Sequence, residues 1–327
     1  MAKKDNRRVI TWTLNETSSN YRNSIRNYNH KIYSIGLHEF EVTADGKIRD
    51  YNTKRNYFDS NGNHTGVRFP VILEQDMIDY PSIKWYMQMI VFGWNTIVRP
   101  VLDNDVVNSE GRLPQDQFVY ELNKLVELYD VSRNTGTPLK WTGIEMDVEG
   151  SMTSDPYSQG YDVKFIRFLE KIKREVCDPK GLKMRINAYA MWGENTPYYY
   201  RFHNYKLFAN STTNGKKTID EIQLMTYDMH WSGSSAGAST PIWWFENVAN
   251  WCVKCFDPKE NPNAKLTLDD LYFGAAAYGN RWGMHNQDVV KRGTNVTYHN
   301  LLGWQNGYYR HYHTETNENG WTNPQTG

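Results

Sequence analysis

Residues 141–150 read WTGIEMDVEG, and from Gly143 onward apolar and acidic side chains alternate. Alternation with a period of two is typical of a β-strand, in which successive side chains point to opposite faces. Glu145, Asp147 and Glu149 are therefore predicted to share one face. Because the apolar face can pack against covering helices, we expect the acidic face to line the interior of a barrel and to end at its C-terminal mouth.

These three residues, which we call the acidic row, place like charges about 6–7 Å apart along the strand. Burying three carboxylates together is so unfavourable that some of them must hold protons at neutral pH. A carboxyl group with a raised pKa at the end of a strand is suited to general acid catalysis. An alternative interpretation is an edge strand whose acidic face is solvated, but the apolar opposite face favours the interior.

Around this strand, short apolar runs alternate with longer amphipathic stretches, which predicts βαβ units and a largely parallel sheet. We expect one α/β domain over residues 1–327, a TIM (β/α)8-type barrel with a core of about residues 9–282. The segment Tyr80–Leu102 is predicted to hold a helix and an extra strand. The predicted strands are Val9–Leu14, Ile32–Val42, Arg68–Leu73, Trp141–Val148, Met184–Met191, Glu221–Asp228 and Leu271–Tyr278, and the predicted helices are Asn20–Tyr28, Gln115–Tyr129 and Val163–Val176. An eighth strand is not evident, and residues 283–327 stay unassigned.

The composition of the chain argues against several classes of function. The 37 basic and 37 acidic residues balance, so no charge excess indicates a nucleic-acid partner. Mean hydropathy is −0.74, and no apolar run is long enough for a membrane helix. The first residues, MAKKDNRRVITW, lack the apolar core of a Sec-type signal peptide, which predicts cytoplasmic synthesis. Three cysteines argue against a disulfide framework, and Cys252 and Cys255 are interpreted as ordinary helix residues rather than zinc ligands.

Residues 142–149, TGIEMDVE, resemble the family 18 glycoside hydrolase signature D-G-x-D-x-D-x-E. Gly143, Asp147 and Glu149 match it, whereas Thr142 replaces the first Asp and Glu145 replaces the second. The resemblance implies that Glu149 protonates the glycosidic oxygen. It also implies that Asp147 hydrogen-bonds first to Glu149 and then to the N-acetyl group of the substrate.

A second motif, QLMTYD at residues 223–228, resembles the sixth strand of the same family. The resemblance implies that Met225 and Tyr227 face the sugar pocket. Tyr227 would then hold the N-acetyl carbonyl, and Asp228 would bind the same sugar.

A third motif, LYFGAAAYGNRW at residues 271–282, is similar to the seventh strand of the family, although Asn280 stands where Arg is usual. By the same resemblance Trp282 is a candidate sugar contact. Tyr189, Trp12 and Glu145 complete the candidate substrate-binding residues.

The resemblance implies substrate-assisted retaining hydrolysis of β-1,4 linkages next to N-acetylglucosamine, in chitin or a peptidoglycan-type glycan, with no metal or cofactor. The alternative is a weak or inactive barrel that binds glycans or serves as a structural component, for example of a phage tail. Thr142 and Asn280 favour this alternative, and joint retention of the catalytic motifs favours the first. An enzyme without a secretory signal would reach cell walls on a virion or after lysis.

Overall fold

The computed structural model describes the following residues: 9–13, 19–67, 71–152, 159–235, 237–276, 278–285, 288–297, 309–313 and 318–322. Side chains are described for residues 9–13, 22–67, 73–152, 159–235 and 237–276. The chain divides into two compact units. The first unit comprises Met1–Ala188 and Pro197–Ile222, and the second comprises Tyr189–Thr196 and Gln223–Gly327.

The described residues form strands and helices in both units. The strands are β1 (Val9–Thr13), β2 (Ile32–Val42), β3 (Ile48–Asp50), β4 (Lys84–Phe92), β5 (Trp141–Glu149), β6 (Lys183–Tyr189), β7 (Thr212–Thr213), β8 (Lys216–Lys217), β9 (Glu221–Met225), β10 (Leu271–Phe273), β11 (Tyr278–His285), β12 (Asp288–Thr297), β13 (Tyr309–His313) and β14 (Glu318–Thr322). The longer helices are α1 (Ser19–Tyr28), α2 (Val71–Asp79), α3 (Arg99–Asp103), α4 (Pro114–Leu128), α5 (Tyr161–Ile172), α6 (Tyr205–Asn210) and α7 (Ile242–Phe256).

The first unit is built on a parallel sheet. Strands β1, β2, β4, β5 and β6 lie side by side in that order, each parallel to the next. The first two residues of β9 follow β6, where the Asp220 N–H donates to the Met184 carbonyl at 2.7 Å. The predicted βαβ alternation and parallel sheet are confirmed, and β3 adds a short antiparallel hairpin to β2.

The predicted strand Arg68–Leu73 was wrong for residues 71–73, which begin helix α2 (Val71–Asp79), while residues 68–70 lie outside the described residues. The third parallel strand is instead β4, inside the segment Tyr80–Leu102 that we expected to hold a helix and an extra strand. Seven of its nine residues are buried. A strand covered on both faces reads as a continuous apolar run, so β4 lacks the period-two signal used to find strands.

In the second unit, two predicted strands are shorter than expected. Strand β9 ends at Met225, because the Thr226 hydroxyl turns to the Gly274 carbonyl at 2.6 Å and the backbone reaches φ +60° at Asp228. Strand β10 ends at Phe273, and the following residues form the antiparallel pair of β11 and β12.

The predicted amphipathic helices are confirmed as α1, α4 and α5. Helix α7 carries Cys252 and Cys255, which are both buried and take part in no disulfide among the described residues. Burial raises the pKa of the Cys252 thiol far above its ordinary value. Among the described residues, no helix has the length and apolarity to cross a bilayer, and no group of three His, Cys, Asp or Glu side chains is arranged to hold a metal ion.

Candidate active site

Strand β5 carries the acidic row from the buried interior to the end of the sheet. The side chain of Glu145 is fully buried, Asp147 is 5% exposed and Glu149 is half-buried. The apolar residues between them are also buried, so β5 is covered on both faces. The predicted alternation therefore holds, and exposure rises along the row toward the C-terminal end of the strand.

Two neighbours hold Glu145 at the bottom of the row. Arg185, its register partner on β6, donates two hydrogen bonds to Oε2, the one from Nε at 2.8 Å and a shorter one from Nη2. Trp12 on β1 donates its indole N–H to Oε1 at 2.6 Å. Charge-assisted hydrogen bonds of this kind are shorter and stronger than hydrogen bonds between neutral groups. Both oxygens of Glu145 are thus occupied, which favours a structural role over the predicted contact with substrate.

The Arg185 side chain is itself fully buried and surrounded by matching groups. Its Nη1 donates to the Ser34 hydroxyl at 2.6 Å and lies 3.7 Å from Glu221 Oε2. Its guanidinium lies 3.6 Å from the centroid of the Tyr86 ring, in cation–π contact. Tyr86 in turn donates its hydroxyl to Glu221 Oε2 at 2.9 Å. A fixed charge network therefore underlies the row.

Gly36 on β2 has no side chain, and the space that a side chain would fill is occupied by Glu145 and Trp12 of this network. A Cβ at this position would lie 2.6 Å from Glu145 Oε2 and 3.0 Å from Trp12 Cδ1. Since side chains do not approach so closely, glycine is required wherever the glutamate takes this position.

Asp147 occupies the middle of the row. Gln88 on β4 donates its amide N–H to Oδ2 at 2.9 Å. The Gln88 amide oxygen can only accept, so its 3.2 Å contact with His38 Nδ1 places a proton on that nitrogen. Burial raises the pKa of Asp147 well above its usual range, and the negative charges of Glu149 and Glu145 and the hydrogen bond to Glu149 add to the shift, against an opposing amide of Asn187.

Glu149 is the last residue of β5. Its carbonyl accepts the Gly93 N–H at 2.9 Å, where the chain leaves β4 with φ +96°. Beyond β6, residues 198–200 form a short helical turn of three consecutive tyrosines. Burial raises the pKa of Tyr200, and the charges of Tyr199 and Glu149 add to this effect. Tyr200 therefore lies within electrostatic reach of the proposed proton donor.

The sequence reasoning did not identify Arg185, Asn187, Gln88, Ser34 or Tyr86 as site residues. A signal was present, because each neighbouring strand also carries polar residues at alternate positions. On β6 these are residues 185 and 187, and on β4 they are residues 86 and 88. Side chains two apart on a strand share a face, so extending the parity argument from β5 to its neighbours would have found them.

The remaining predicted site residues belong to the second unit. Tyr189 ends β6 and Met225 ends β9, and both are half-buried. Tyr227 is half-buried and Asp228 is exposed, with the Asp228 N–H donated to Ser239 Oγ at 3.0 Å. Trp282 lies in β11, and its side chain is outside the described residues.

The structure resembles solved glycoside hydrolases. A chitinase from Chromobacterium violaceum matches with a TM-score of 0.65 and 16% identity, over 95% of this chain and 80% of the other. The spore cortex-lytic enzyme SleL of Bacillus cereus matches with 0.66 and 14%, over 98% and 62%. A family 18 N-acetylglucosaminidase from Paenibacillus barengoltzii matches with 0.59 and 14%, over 96% and 85%. No protein-family model and no curated protein matches the sequence significantly.

These likenesses show the fold. The chain folds as the family 18 glycoside hydrolases do. The prediction of a (β/α) barrel is thereby confirmed, and the resemblance noted from the motifs agrees with the solved structures.

Proposed function

We propose that the chain is a glycoside hydrolase that cleaves β-1,4 linkages next to N-acetylglucosamine, with Glu149 as acid and base. The observation that carries the proposal is the acidic row in a fold shared with chitinases. Glu149 stands half-buried at the end of the strand, above a buried Asp147 whose pKa is raised. A half-buried carboxyl group is accessible to a glycosidic oxygen and still partly shielded from water.

The proposed reaction is substrate-assisted and retaining. Glu149 gives its proton to the leaving oxygen, while the 2-acetamido oxygen of the substrate attacks the anomeric carbon. The bond to the leaving group breaks as the new C–O bond forms, which gives a cyclic oxazolinium ion. Glu149, now a carboxylate, then removes a proton from the water that opens this ring and restores the original configuration.

Asp147 suits the task of stabilising the positive intermediate. A group buried between two carboxylates holds a proton at rest, and it can accept a hydrogen bond from the substrate N–H once that proton has moved to Glu149. Tyr227 is proposed to hold the N-acetyl carbonyl. Asp228, Met225, Tyr189 and Trp282 are proposed as further sugar contacts, by the motif resemblance.

The substrate is proposed to be a polymer that carries N-acetyl groups, because the mechanism needs an acetamido group beside the scissile bond. Two of the structural neighbours are named as a chitinase and a spore cortex-lytic enzyme. Chitin oligomers and purified peptidoglycan are therefore the two substrates to assay first.

The decisive experiment replaces the proposed proton donor. Glu149→Gln is expected to lower kcat on the cleaved glycan by at least about 100-fold, because general acid catalysis is lost, and to leave the fold intact. The matched control is Glu127→Gln, which changes an exposed carboxylate on α4 and should keep wild-type turnover. A folded Glu149→Gln protein with wild-type kcat would overturn the assignment.

A glycan-binding protein without turnover is the second candidate. Thr142 stands where the family signature has its first Asp, and Glu145, which stands where the signature has its second, is paired with the buried Arg185. This candidate predicts that the wild-type protein binds chitin oligomers, measured by calorimetry, and releases no reducing sugar from chitin or peptidoglycan.

A further inference from the structure

The end of strand β5 is paired differently on its two sides. Toward β4 the pairing continues to Glu149, whose carbonyl accepts the Gly93 N–H at 2.9 Å. Toward β6 the last register pair is Asp147 with Asn187. Successive carbonyls of a strand point to opposite sides, so the Val148 carbonyl points to the side of β6, one residue beyond this last pair.

His203 supplies the donor that this carbonyl needs. Its Nε2 lies 3.0 Å from the Val148 oxygen. A carbonyl oxygen can only accept, so Nε2 carries a proton and donates the hydrogen bond. Both residues are buried, and a buried carbonyl without a donor would be unfavourable. The imidazole therefore takes the place that a backbone N–H would hold in a longer parallel ladder.

The ring of His203 is held by elements other than the sheet. Phe165 on α5 stacks against it with a centroid distance of 5.2 Å and an interplanar angle of 29°, and Phe202 contacts it edge-on at 4.3 Å. The next residue, Asn204, caps α6 by accepting from two of its backbone N–H groups, and it donates its amide to Asp162 of α5 at 2.9 Å. Because these neighbours fix the imidazole, it acts as a rigid support for the end of β5.

The segment that carries His203 also approaches the carboxyl group at the end of β5. The His203 N–H donates to the Tyr200 carbonyl at 3.1 Å, which closes a turn. Burial, the charge of Tyr199 and the charge of Glu149 raise the pKa of Tyr200, in that order of importance. One turn of the chain therefore lies both at the Val148 carbonyl and within electrostatic reach of Glu149.

We propose that His203 is a positioning residue for Glu149. Its hydrogen bond fixes the Val148 carbonyl, and with it the direction in which the next residue presents its carboxyl group. Misplacement of a reacting group by about 1 Å can lower a rate about 100-fold, so this support should matter for kcat rather than for substrate binding. The inference rests on the proposed role of Glu149 as the proton donor.

Two substitutions separate the hydrogen bond from the packing of the ring. His203→Gln keeps an N–H donor near the position of Nε2, whereas His203→Leu keeps an apolar side chain and removes the donor. On the glycan that the wild type cleaves, chitin oligomers or purified peptidoglycan, His203→Leu should lower kcat by at least about tenfold and change KM by less than about twofold. His203→Gln should keep kcat within about threefold of the wild-type value.

The matched control changes the packing and leaves the hydrogen bond in place. Phe208 is buried in the same aromatic cluster, and its ring centroid lies 6.0 Å from that of His203. Phe208→Leu should lower the free energy of unfolding, because it leaves a cavity, and should keep kcat within about twofold of the wild-type value. An equal loss of kcat in His203→Leu and in either His203→Gln or Phe208→Leu would show that packing alone is at work and would overturn the proposal.

Amide hydrogen exchange tests the same support without turnover. In His203→Leu the Gly93 N–H, which pairs with the last residue of β5, should exchange at least about tenfold faster, because the end of the strand is then held on one side only. In His203→Gln and Phe208→Leu its rate should stay near that of the wild type. The reference is the Asp220 N–H, which donates to the Met184 carbonyl at 2.7 Å and should keep its rate in all three variants.

Nitrogen-15 NMR of the wild-type imidazole gives a test that needs no variant to fold. Burial lowers the pKa of His203 to about 3, so the ring is neutral at neutral pH and its proton should be found on Nε2. A bare Nε2, or an unchanged Gly93 exchange rate in a folded His203→Leu protein, would overturn the proposal. If no glycan is hydrolysed but Gly93 exchange rises in His203→Leu and not in His203→Gln, the support of β5 stands and the proposed function fails. If Glu149→Gln abolishes turnover but His203→Leu keeps the wild-type kcat, the proposed function stands and this inference fails.

Discussion

Gly36 is the residue at which a single added methyl group should disturb the packing around Glu145 most directly. Its missing side chain admits the carboxylate of Glu145 and the indole of Trp12, which meet in the interior. One methyl group at this point would push against two side chains that are fixed by hydrogen bonds. Close packing of protein interiors leaves no neighbouring void to absorb the displacement.

Gly36→Ala is therefore expected to destabilise the protein by about 1–3 kcal/mol through overpacking. It should also impair turnover, because it displaces Glu145. Urea unfolding and an activity assay measure the two effects. The comparison variant is Gly66→Ala, whose Cβ would meet no atom within 4 Å but whose φ is +86°. It should lose about 1 kcal/mol through backbone strain and keep its activity, whereas equal loss of activity in both variants would contradict the explanation.

Helix α4 contains a buried acid outside the row that makes the stability of the fold depend on pH. Glu121 is buried on this helix, accepting the Ile48 N–H at 2.6 Å and the Gln117 amide at 2.8 Å. Burial raises the pKa of Glu121 to about 7, although these two hydrogen bonds oppose the shift. A folded-state pKa above the unfolded value means that the folded state binds the proton more tightly. The resulting stabilisation is complete below about pH 4.5 and is lost as the pH rises through 7.

Glu121→Gln should remove this part of the pH dependence. The difference in unfolding free energy between pH 5 and pH 8 is expected to shrink by about 2 kcal/mol, from the pKa shift that the substitution abolishes. Denaturant titrations at both pH values provide the measurement. Glu127→Gln, an exposed change on the same helix, should retain the wild-type difference, and an unchanged difference in Glu121→Gln would contradict the prediction.

At the level of elements, the sequence allowed correct prediction of those helices and strands whose apolar residues recur at a regular spacing. The amphipathic helices and strand β5 have clear apolar patterns, and these predictions are confirmed. Strand β4 was misplaced, because apolar residues occupy both of its faces and the polar residues at 86 and 88 are too few to mark a period of two. In the site, the acidic row could be predicted because side chains two positions apart on one strand share a face. The Arg185 pair depends on register between two strands, which a single sequence does not contain.

Over the whole molecule, buried titratable groups act on stability in opposite directions as the pH changes. Burial lowers the pKa of His203 to about 3, while its Nε2 contacts the Val148 carbonyl at 3.0 Å. A depressed folded-state pKa gives stability that is present above about pH 6.5, where the unfolded chain is neutral at this residue, and that is lost as the pH falls toward 3. Glu121 and Asp147 have raised pKa values and so weaken the fold as the pH rises.

The melting temperature should therefore be highest near about pH 4.5 and should fall as the pH rises toward 7, because Glu121 and Asp147 together outweigh His203 in that range. Scanning calorimetry across pH 3–9 tests this expectation. His203→Gln should flatten the acid side of the curve, because the group that resists protonation is gone, and should leave the alkaline side unchanged. A maximum above pH 8 would contradict the prediction.

The hydrogen bond from Trp12 to Glu145 joins residues that are 133 positions apart, and Arg185 follows 40 positions later. During synthesis the amino-terminal part of the chain emerges first. Strands β1 to β5 are therefore complete on the ribosome while the carboxylate of Glu145 still lacks its cation. The interior of the sheet reaches its final state of charge only after β6 has left the exit tunnel, so nascent chains that stop before residue 185 should not acquire native protection from proteases.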